Sequence, residues 1–137
     1  MTSQTYRRAS HSVSLLHAHL VFVTKYRRPL LTDQMLTFCE HAMRTICADL
    51  DVELVEFSAE ADHAHLLVAY PPTLAIATLA QRLKGRTSYA VRREYTGVCV
   101  RARMRGHLWS PSYFAASCGG APLSIIKHYI NGQARPL

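Results

Sequence analysis

The chain has 137 residues, of which 49% are hydrophobic, and carries a net charge of +7 with a pI of about 9.6. This length suits one domain with its own core, and this composition excludes a disordered chain. No apolar run approaches the roughly 18–20 residues of a membrane span, and we identify no secretory signal. The cysteines lack zinc-knuckle or redox spacing, so we expect reduced thiols in a cytoplasmic protein. They are Cys39, Cys47, Cys99 and Cys118.

The charges are segregated along the chain. Residues 33–62 hold eight of the nine acidic residues, whereas residues 82–105 hold eight of the sixteen basic residues. A one-signed stretch produces a field that attracts polyanions, which indicates a nucleic-acid partner. A solvated basic helix face is the alternative explanation of this pattern.

The first half of the chain predicts a strand and a helix after a polar arm. Residues 1–12 are polar and predict a loose arm, and the β-branched and aromatic residues of 19–26 predict a strand. Thr32 is a suitable N-cap for a helix over 33–50, where apolar residues keep helical spacing.

Two strands and a second helix follow. Alternation over 52–59 predicts a half-buried strand, and 63–70 predicts a more buried one that ends at two prolines. Thr73 is a candidate cap for a helix over 74–94.

The last part of the chain predicts a strand and a helix. Residues 108–117 contain Pro111, which is typical of an edge or bulged strand. Gly119-Gly120 breaks the chain before a C-terminal segment, 121–135, with a helix over about 122–134.

The order of elements predicts an α+β fold. The first six match a ferredoxin-like split βαβ sandwich with an antiparallel sheet, and no linker divides residues 1–137 into domains. In that topology the first and third strands are central neighbours. Two His-Ala-His segments on these strands are therefore expected to lie close together.

These two segments carry His17 and His19, and His63 and His65. Residues i and i+2 of a strand point to the same face, so each pair presents two imidazoles that could bind a metal. His-x-His alone is unspecific, and two ordinary strand histidines remain the alternative for either pair.

The last predicted helix offers further ligands. Tyr129 and Gln133 are four residues apart and share a helix face. The amide oxygen of Gln133 suits a hard cation such as Mg²⁺ or Mn²⁺, and Tyr129 supplies a phenol. An amphipathic aromatic at a helix end is the alternative for Tyr129.

Five motifs together resemble one protein family. They are HLVFVTKYRRPLL, EADHAHLLV, LAQRLKGRTSYAVRREY, LWSPSYF and IIKHYINGQ. Their order and spacing over about residues 15–135 resemble the small stand-alone single-strand DNA tyrosine transposases of the HUH superfamily.

The resemblance implies roles for particular residues. It implies Tyr129 as the nucleophile, and His63, His65 and Gln133 as ligands of Mg²⁺ or Mn²⁺. Asp62 matches the acidic residue before the histidine pair, and we expect it to support a ligand, with solvent exposure as the alternative. Of the first pair only His19 has a family counterpart, so His17 is expected to be incidental.

The implied activity is metal-dependent transposition. Single-stranded DNA would be cut and rejoined at hairpin-bearing element ends through a 5′-phosphotyrosine. A homodimer would share its active sites between subunits, with Gly119-Gly120 as a hinge; a simple loop is the alternative. A non-catalytic or domesticated hairpin-binding protein and a metal-dependent hydrolytic nuclease are the competing functions.

Charge and aromatic residues predict the DNA surface, because single strands bind through phosphate neutralisation and base stacking. A core position is the alternative for Trp109 and Tyr113. The predicted contacts are Lys25, Tyr26, Arg27, Arg28, Arg82, Lys84, Arg86, Arg101, Arg103, Arg105, Trp109 and Tyr113.

Overall fold

A four-stranded antiparallel sheet forms the centre of the computed structural model, which describes residues 15–104 and 106–117. The strands, in the spatial order β2-β3-β1-β4, are β1 (Leu16–Val23), β2 (Glu53–Glu60), β3 (His63–Tyr70) and β4 (Phe114–Ser117). The other elements are a 3-10 turn (Lys25–Arg27) and the helices α1 (Asp33–Asp49), α2 (Ile76–Glu94) and α3 (Thr96–Arg101). This order is that of a ferredoxin-like sheet, so the predicted α+β fold is confirmed. The predicted arm and final helix lie outside the described residues.

The core lies between one face of the sheet and the helices. Alternate residues of β1 and β3 enter it: Ala18, Leu20, Phe22, Ala64, Leu66 and Val68. The helices contribute Met35, Cys39, Met43, Cys47, Leu79, Leu83 and Val91. Burying a side chain of Leu or Met size stabilises the fold by roughly 1.5–3 kcal/mol, so this layer fixes which face of each strand points inward. The His-Ala-His histidines consequently point to the sheet face away from the helices.

Helix α1 begins where its cap predicts, and α2 does not. The Thr32 hydroxyl accepts a hydrogen bond from the Met35 amide at 3.2 Å. Before α2, the N-cap is Ala75 rather than Thr73, and no side chain caps it. The Leu74 amide instead donates to the Pro71 carbonyl at 3.0 Å, and this turn delays the start of the helix.

Strand β4 is shorter than the predicted strand over 108–117. Trp109 pairs with Thr24 in an isolated bridge, and regular pairing begins only at Phe114. The Lys84 ammonium donates to the backbone carbonyls of Ser110 and Pro111 at 2.7 and 2.9 Å. These carbonyls accept hydrogen bonds from the Lys84 side chain. The segment therefore bends around Lys84 before it joins the sheet.

Helix α3 lies between α2 and β4, where the sequence predicts no helix. Its six residues are too few to carry a clear helical period, and Gly97 has low helix propensity. Burial of Cys99 in the core anchors it.

The thiols of Cys39, Cys47 and Cys99 are free and buried, as expected, whereas Cys118 is not among the described residues. Burial raises the pKa of Cys39 and of Cys47 to about 12, so both thiols stay protonated at neutral pH. Within 15–104 and 106–117, no helix has the length and apolar character needed to cross a membrane.

Candidate active site

The β1–β3 pairing places the histidines of both His-Ala-His segments on one face of the sheet. In the register, Val21 lies opposite His65 and Val23 lies opposite His63. Because cross-strand partners share a face, His19 and His17 continue the same row along β1. The predicted proximity of the two segments is therefore confirmed.

Asp62 links His63 to the turn that follows β1. Its Oδ1 accepts a hydrogen bond from Nδ1 of His63 at 2.9 Å, and its Oδ2 accepts one from Nε of Arg27 at 3.1 Å. A second guanidinium nitrogen of Arg27 also lies 3.1 Å from Oδ2, and the Asp62 side chain is only 16% exposed. The solvent-exposed alternative for Asp62 is therefore wrong.

The backbone of Asp62 is fixed as well. Its carbonyl accepts hydrogen bonds from the Thr24 amide at 2.9 Å and from the Thr24 hydroxyl at 3.2 Å. Thr24 directly follows β1 and is fully buried, so these hydrogen bonds tie the backbone of Asp62 to the end of that strand. Thr24 was not predicted as a site residue, and its place in the Val-Thr-Lys-Tyr block is its sequence signal.

The carboxylate of Asp62 favours one tautomer of His63. Although burial acts to raise the pKa of Asp62, the hydrogen bonds from His63 and Arg27 outweigh it, and the pKa is lowered overall. An ionised carboxylate only accepts hydrogen bonds, so Nδ1 of His63 carries the proton. In the neutral ring, Nε2 then has a free lone pair, which is the arrangement of metal-binding histidines supported by a carboxylate.

His65 contacts His19 rather than a carboxylate. Nδ1 of His19 lies 3.0 Å from Nε2 of His65, and the rings are stacked with centroids 5.1 Å apart. Burial lowers the pKa of His65, nearby His19 and His63 lower it further, and Glu56 opposes them. His65 is thus neutral at pH 7, as a metal ligand must be.

The residues present fit part of a divalent-metal site. Two imidazoles stand side by side, and that of His63 is supported by a carboxylate. Across 15–104 and 106–117, no group of three or more His, Cys, Asp and Glu residues is arranged to hold a metal ion. The expected partners Tyr129 and Gln133, the Gly119-Gly120 hinge and Arg105 fall beyond the described residues.

The turn after β1 directs neighbouring side chains in different ways. Tyr26 and Arg27 both have positive φ, 62° and 52°, which is uncommon outside glycine. The Tyr26 ring is 48% exposed, with the Lys25 ammonium 5.3 Å and the Arg28 guanidinium 5.9 Å from its centre. Arg27, at 12% exposure, points to Asp62 instead. The ring of Tyr26 is therefore accessible for stacking by a nucleobase, whereas Arg27 belongs to the histidine site.

The basic residues of α2 have different surroundings. Arg82 is exposed, as are Arg101 and Arg103 beyond the helix. Arg86 forms a surface ion pair with Asp49 at 3.0 Å. Lys84 is held by loop carbonyls, and burial lowers its pKa. Lys84 thus acts in the fold, and a DNA contact by it would compete with these carbonyls.

Trp109 is a core residue, and the predicted stacking of DNA bases on its ring is wrong. It is 4% exposed, and its indole N–H donates to the Thr87 hydroxyl at 2.9 Å. Tyr113 is half-buried, with its ring 6.3 Å from Phe22 and beneath the Lys84 ammonium. The sequence could not separate these positions, because exposure depends on how residues 106–113 pack on α2.

A basic cavity of about 430 Å³ lies between α2 and this segment. Lys25, Lys84, Arg92 and His107 contribute its charged and titratable lining. Arg92 and His107 were not among the predicted contacts. Arg92 is one of the basic residues of 82–105, but nothing in the sequence indicates that His107 lines the same cavity.

A His-x-His pair on a central strand of a ferredoxin-like sheet, in a chain with these motifs, defines a transposase of the HUH superfamily. The chain belongs to the family described as "Transposase IS200 like" (Y1_Tnp), which matches residues 12–133.

Two curated relatives are transposases of insertion sequences. The chain is 28% identical over 118 residues to the ISDra2 transposase TnpA of Deinococcus radiodurans, which covers 86% of this chain and 84% of that protein. It is 27% identical over 115 residues to the transposase for insertion sequence element IS200 of Salmonella typhimurium, covering 82% and 75%. The chain is thus similar over most of its length to DNA transposases.

Two solved structures are also similar. A crystal structure of a candidate transposase from D. radiodurans R1 matches with a TM-score of 0.84 and 26% identity, covering 95% of this chain and 99% of that one. A REP-associated tyrosine transposase bound to a REP hairpin matches with a TM-score of 0.54 and 17% identity, covering 93% and 68%. The second likeness concerns the fold alone.

Replacing Arg27 with methionine tests the network around Asp62. We expect Arg27→Met to lower the free energy of unfolding by about 1–3 kcal/mol at pH 7, because Asp62 loses two charge-assisted hydrogen bonds. The pKa of Asp62 is lowered in the folded protein, so this difference should shrink as the pH falls below the usual pKa of an aspartate. Urea unfolding at several pH values measures both effects.

The matched control is Arg86→Met, which breaks the exposed pair with Asp49. Exposed pairs contribute about 0–1 kcal/mol. Equal losses in the two variants would contradict the assignment of Arg27 to a supporting network.

Proposed function

We propose that this transposase cuts and rejoins single-stranded DNA at hairpin-bearing element ends through a 5′-phosphotyrosine on Tyr129. The observation that carries the proposal is the pair of adjacent imidazoles, His63 and His65, with the largely buried carboxylate of Asp62 hydrogen-bonded to His63. Because the chain belongs to a family of tyrosine transposases, we assign this histidine pair a role in phosphoryl transfer.

A divalent ion, Mg²⁺ or Mn²⁺, would be held by His63, His65 and Gln133, and when bound it supplies Lewis-acid polarisation and positioning of the scissile phosphate. The protein orients one of these rings before any ion arrives. Asp62 fixes the ring of His63 with Nε2 outward. Burial keeps His65 in the neutral form that can donate a lone pair.

Tyr129 acts as the nucleophile in this proposal. Its oxygen forms a bond to phosphorus as the bond from phosphorus to the 3′-oxygen breaks. The phenol loses its proton, and the leaving 3′-oxygen ends as a hydroxyl. A later 3′-hydroxyl reverses the step and joins new strands, so no nucleotide cofactor is required.

The DNA would bind along the basic side of the molecule. Tyr26, flanked by Lys25 and Arg28, offers an exposed ring on which a base can stack. The cavity lined by Arg92 and His107 lies close by, because Lys25 lines it too. A structurally similar transposase has a hairpin bound to it, which supports a hairpin as the ligand class.

A covalent adduct tests the proposed chemistry most simply. We expect the protein with Mg²⁺ and hairpin-bearing single-stranded DNA to give an adduct that survives a denaturing gel. Tyr129→Phe should reduce adduct formation at least about a thousandfold, because it removes the attacking oxygen. Tyr89→Phe removes an exposed phenol on α2 and should leave the adduct unchanged.

The other outcomes identify the competing functions. Cleavage that survives Tyr129→Phe would indicate a hydrolytic nuclease in which the histidines activate water. Hairpin binding with no cleavage under any divalent metal would indicate a non-catalytic or domesticated binding protein.

We further propose a homodimer in which Tyr129 of one subunit completes the histidine site of the other. Mixing Tyr129→Phe and His63→Ala chains should then restore adduct formation, because half of the heterodimers' sites combine intact components. The same mixture should be inactive if each subunit uses its own tyrosine. The gel assay distinguishes the two arrangements when mixed dimers are purified with different affinity tags.

A further inference from the structure

His19 holds one of the proposed metal ligands. Its Nδ1 lies 3.0 Å from Nε2 of His65, and the two rings are nearly parallel, at an angle of 29°. The register explains the contact, because His65 lies opposite Val21 and His19 is two residues further along β1 on the same face. Such diagonal neighbours are within reach of large side chains. The family resemblance implies a counterpart for His19 but no role.

The two histidines of the proposed metal site are held by different nitrogens. His63 is held through Nδ1, which leaves its outer nitrogen, Nε2, open. His65 is held through Nε2 itself. Two rings that rise side by side from one strand reach a common ion above the sheet most readily through their outer nitrogens. One of these nitrogens is therefore open, and the other is engaged.

We propose that His19 is a positioning residue that occupies Nε2 of His65 in the metal-free protein, and that metal ligation by His65 breaks this hydrogen bond. The proposal rests on the function proposed above. Its consequence is a site in which His63 is ready for the ion, whereas His65 must first leave His19. Ion affinity is then lower than the two ligands alone would give.

Two substitutions separate the hydrogen bond from the ring contact. His19→Phe keeps a flat ring against His65 but has no nitrogen. His19→Asn keeps a polar group near the position of Nδ1. His17→Phe is the matched control, because His17 belongs to the same motif and face but lies opposite Ala69, further from His65.

Mn²⁺ affinity, measured by electron paramagnetic resonance of the free ion, is the first readout. We expect His19→Phe to bind Mn²⁺ about twofold to tenfold more tightly, which corresponds to the loss of one hydrogen bond. His19→Asn should remain near the wild-type affinity, and His17→Phe should match the wild type. Unchanged or weaker binding by His19→Phe would overturn the proposal.

Ring-nitrogen NMR of the wild type is the second readout and does not depend on a variant that folds. The spectrum should show the His19–His65 hydrogen bond without metal and its loss at saturating Mg²⁺. A hydrogen bond that persists in the Mg²⁺-bound protein would overturn the proposal, since His65 would then ligate through Nδ1 or not at all.

His63→Ala distinguishes the possible failures. If it abolishes Mn²⁺ binding while His19→Phe has no effect, only the role of His19 is wrong. If His63→Ala leaves the Mn²⁺ affinity unchanged, the proposed metal site itself is wrong, and the role of His19 falls with it.

Discussion

The antiparallel pairing of β1 with β3 is the contact on which the site depends. Its register puts Val21 opposite His65 and brings His19 within hydrogen-bond distance of that ring. A shift of one residue in this pairing would turn the histidines of one of the two strands toward the helices. The core residues of the opposite face prevent such a shift, because burying imidazoles in their place would leave polar nitrogens without partners. Packing on one side of the sheet thereby determines which side chains form the candidate site on the other side.

The turn after β1 determines the directions of the side chains that follow this strand. Tyr26 and Arg27 are successive residues with positive φ. The ring of Tyr26 faces solvent, whereas the guanidinium of Arg27 faces Asp62. Backbone conformations of this kind cost energy and persist where the surroundings impose them, often at functional sites. A short segment therefore serves the proposed DNA surface and the support of His63 together.

Local chemistry explains which parts of the fold could be predicted from the sequence. The strand over 63–70 was predicted with both its ends, because alternation and two prolines define it, and Thr32 defined the start of α1. The shortened β4 could not be predicted, since its limit depends on Lys84, some thirty residues earlier in the chain. For the same reason the sequence singled out His63 and His65 but not the role of His19. That role follows from strand register, which is a long-range property.

The central claim is that His63 and His65 form one metal site through their outer nitrogens. A crystal structure with Mn²⁺ and a hairpin oligonucleotide, measured with anomalous scattering, tests it most directly. We expect an anomalous peak within coordination distance of Nε2 of both rings, with His19 no longer hydrogen-bonded to His65. A peak away from these histidines, or one beside His63 alone with the His19–His65 pair intact, would contradict it.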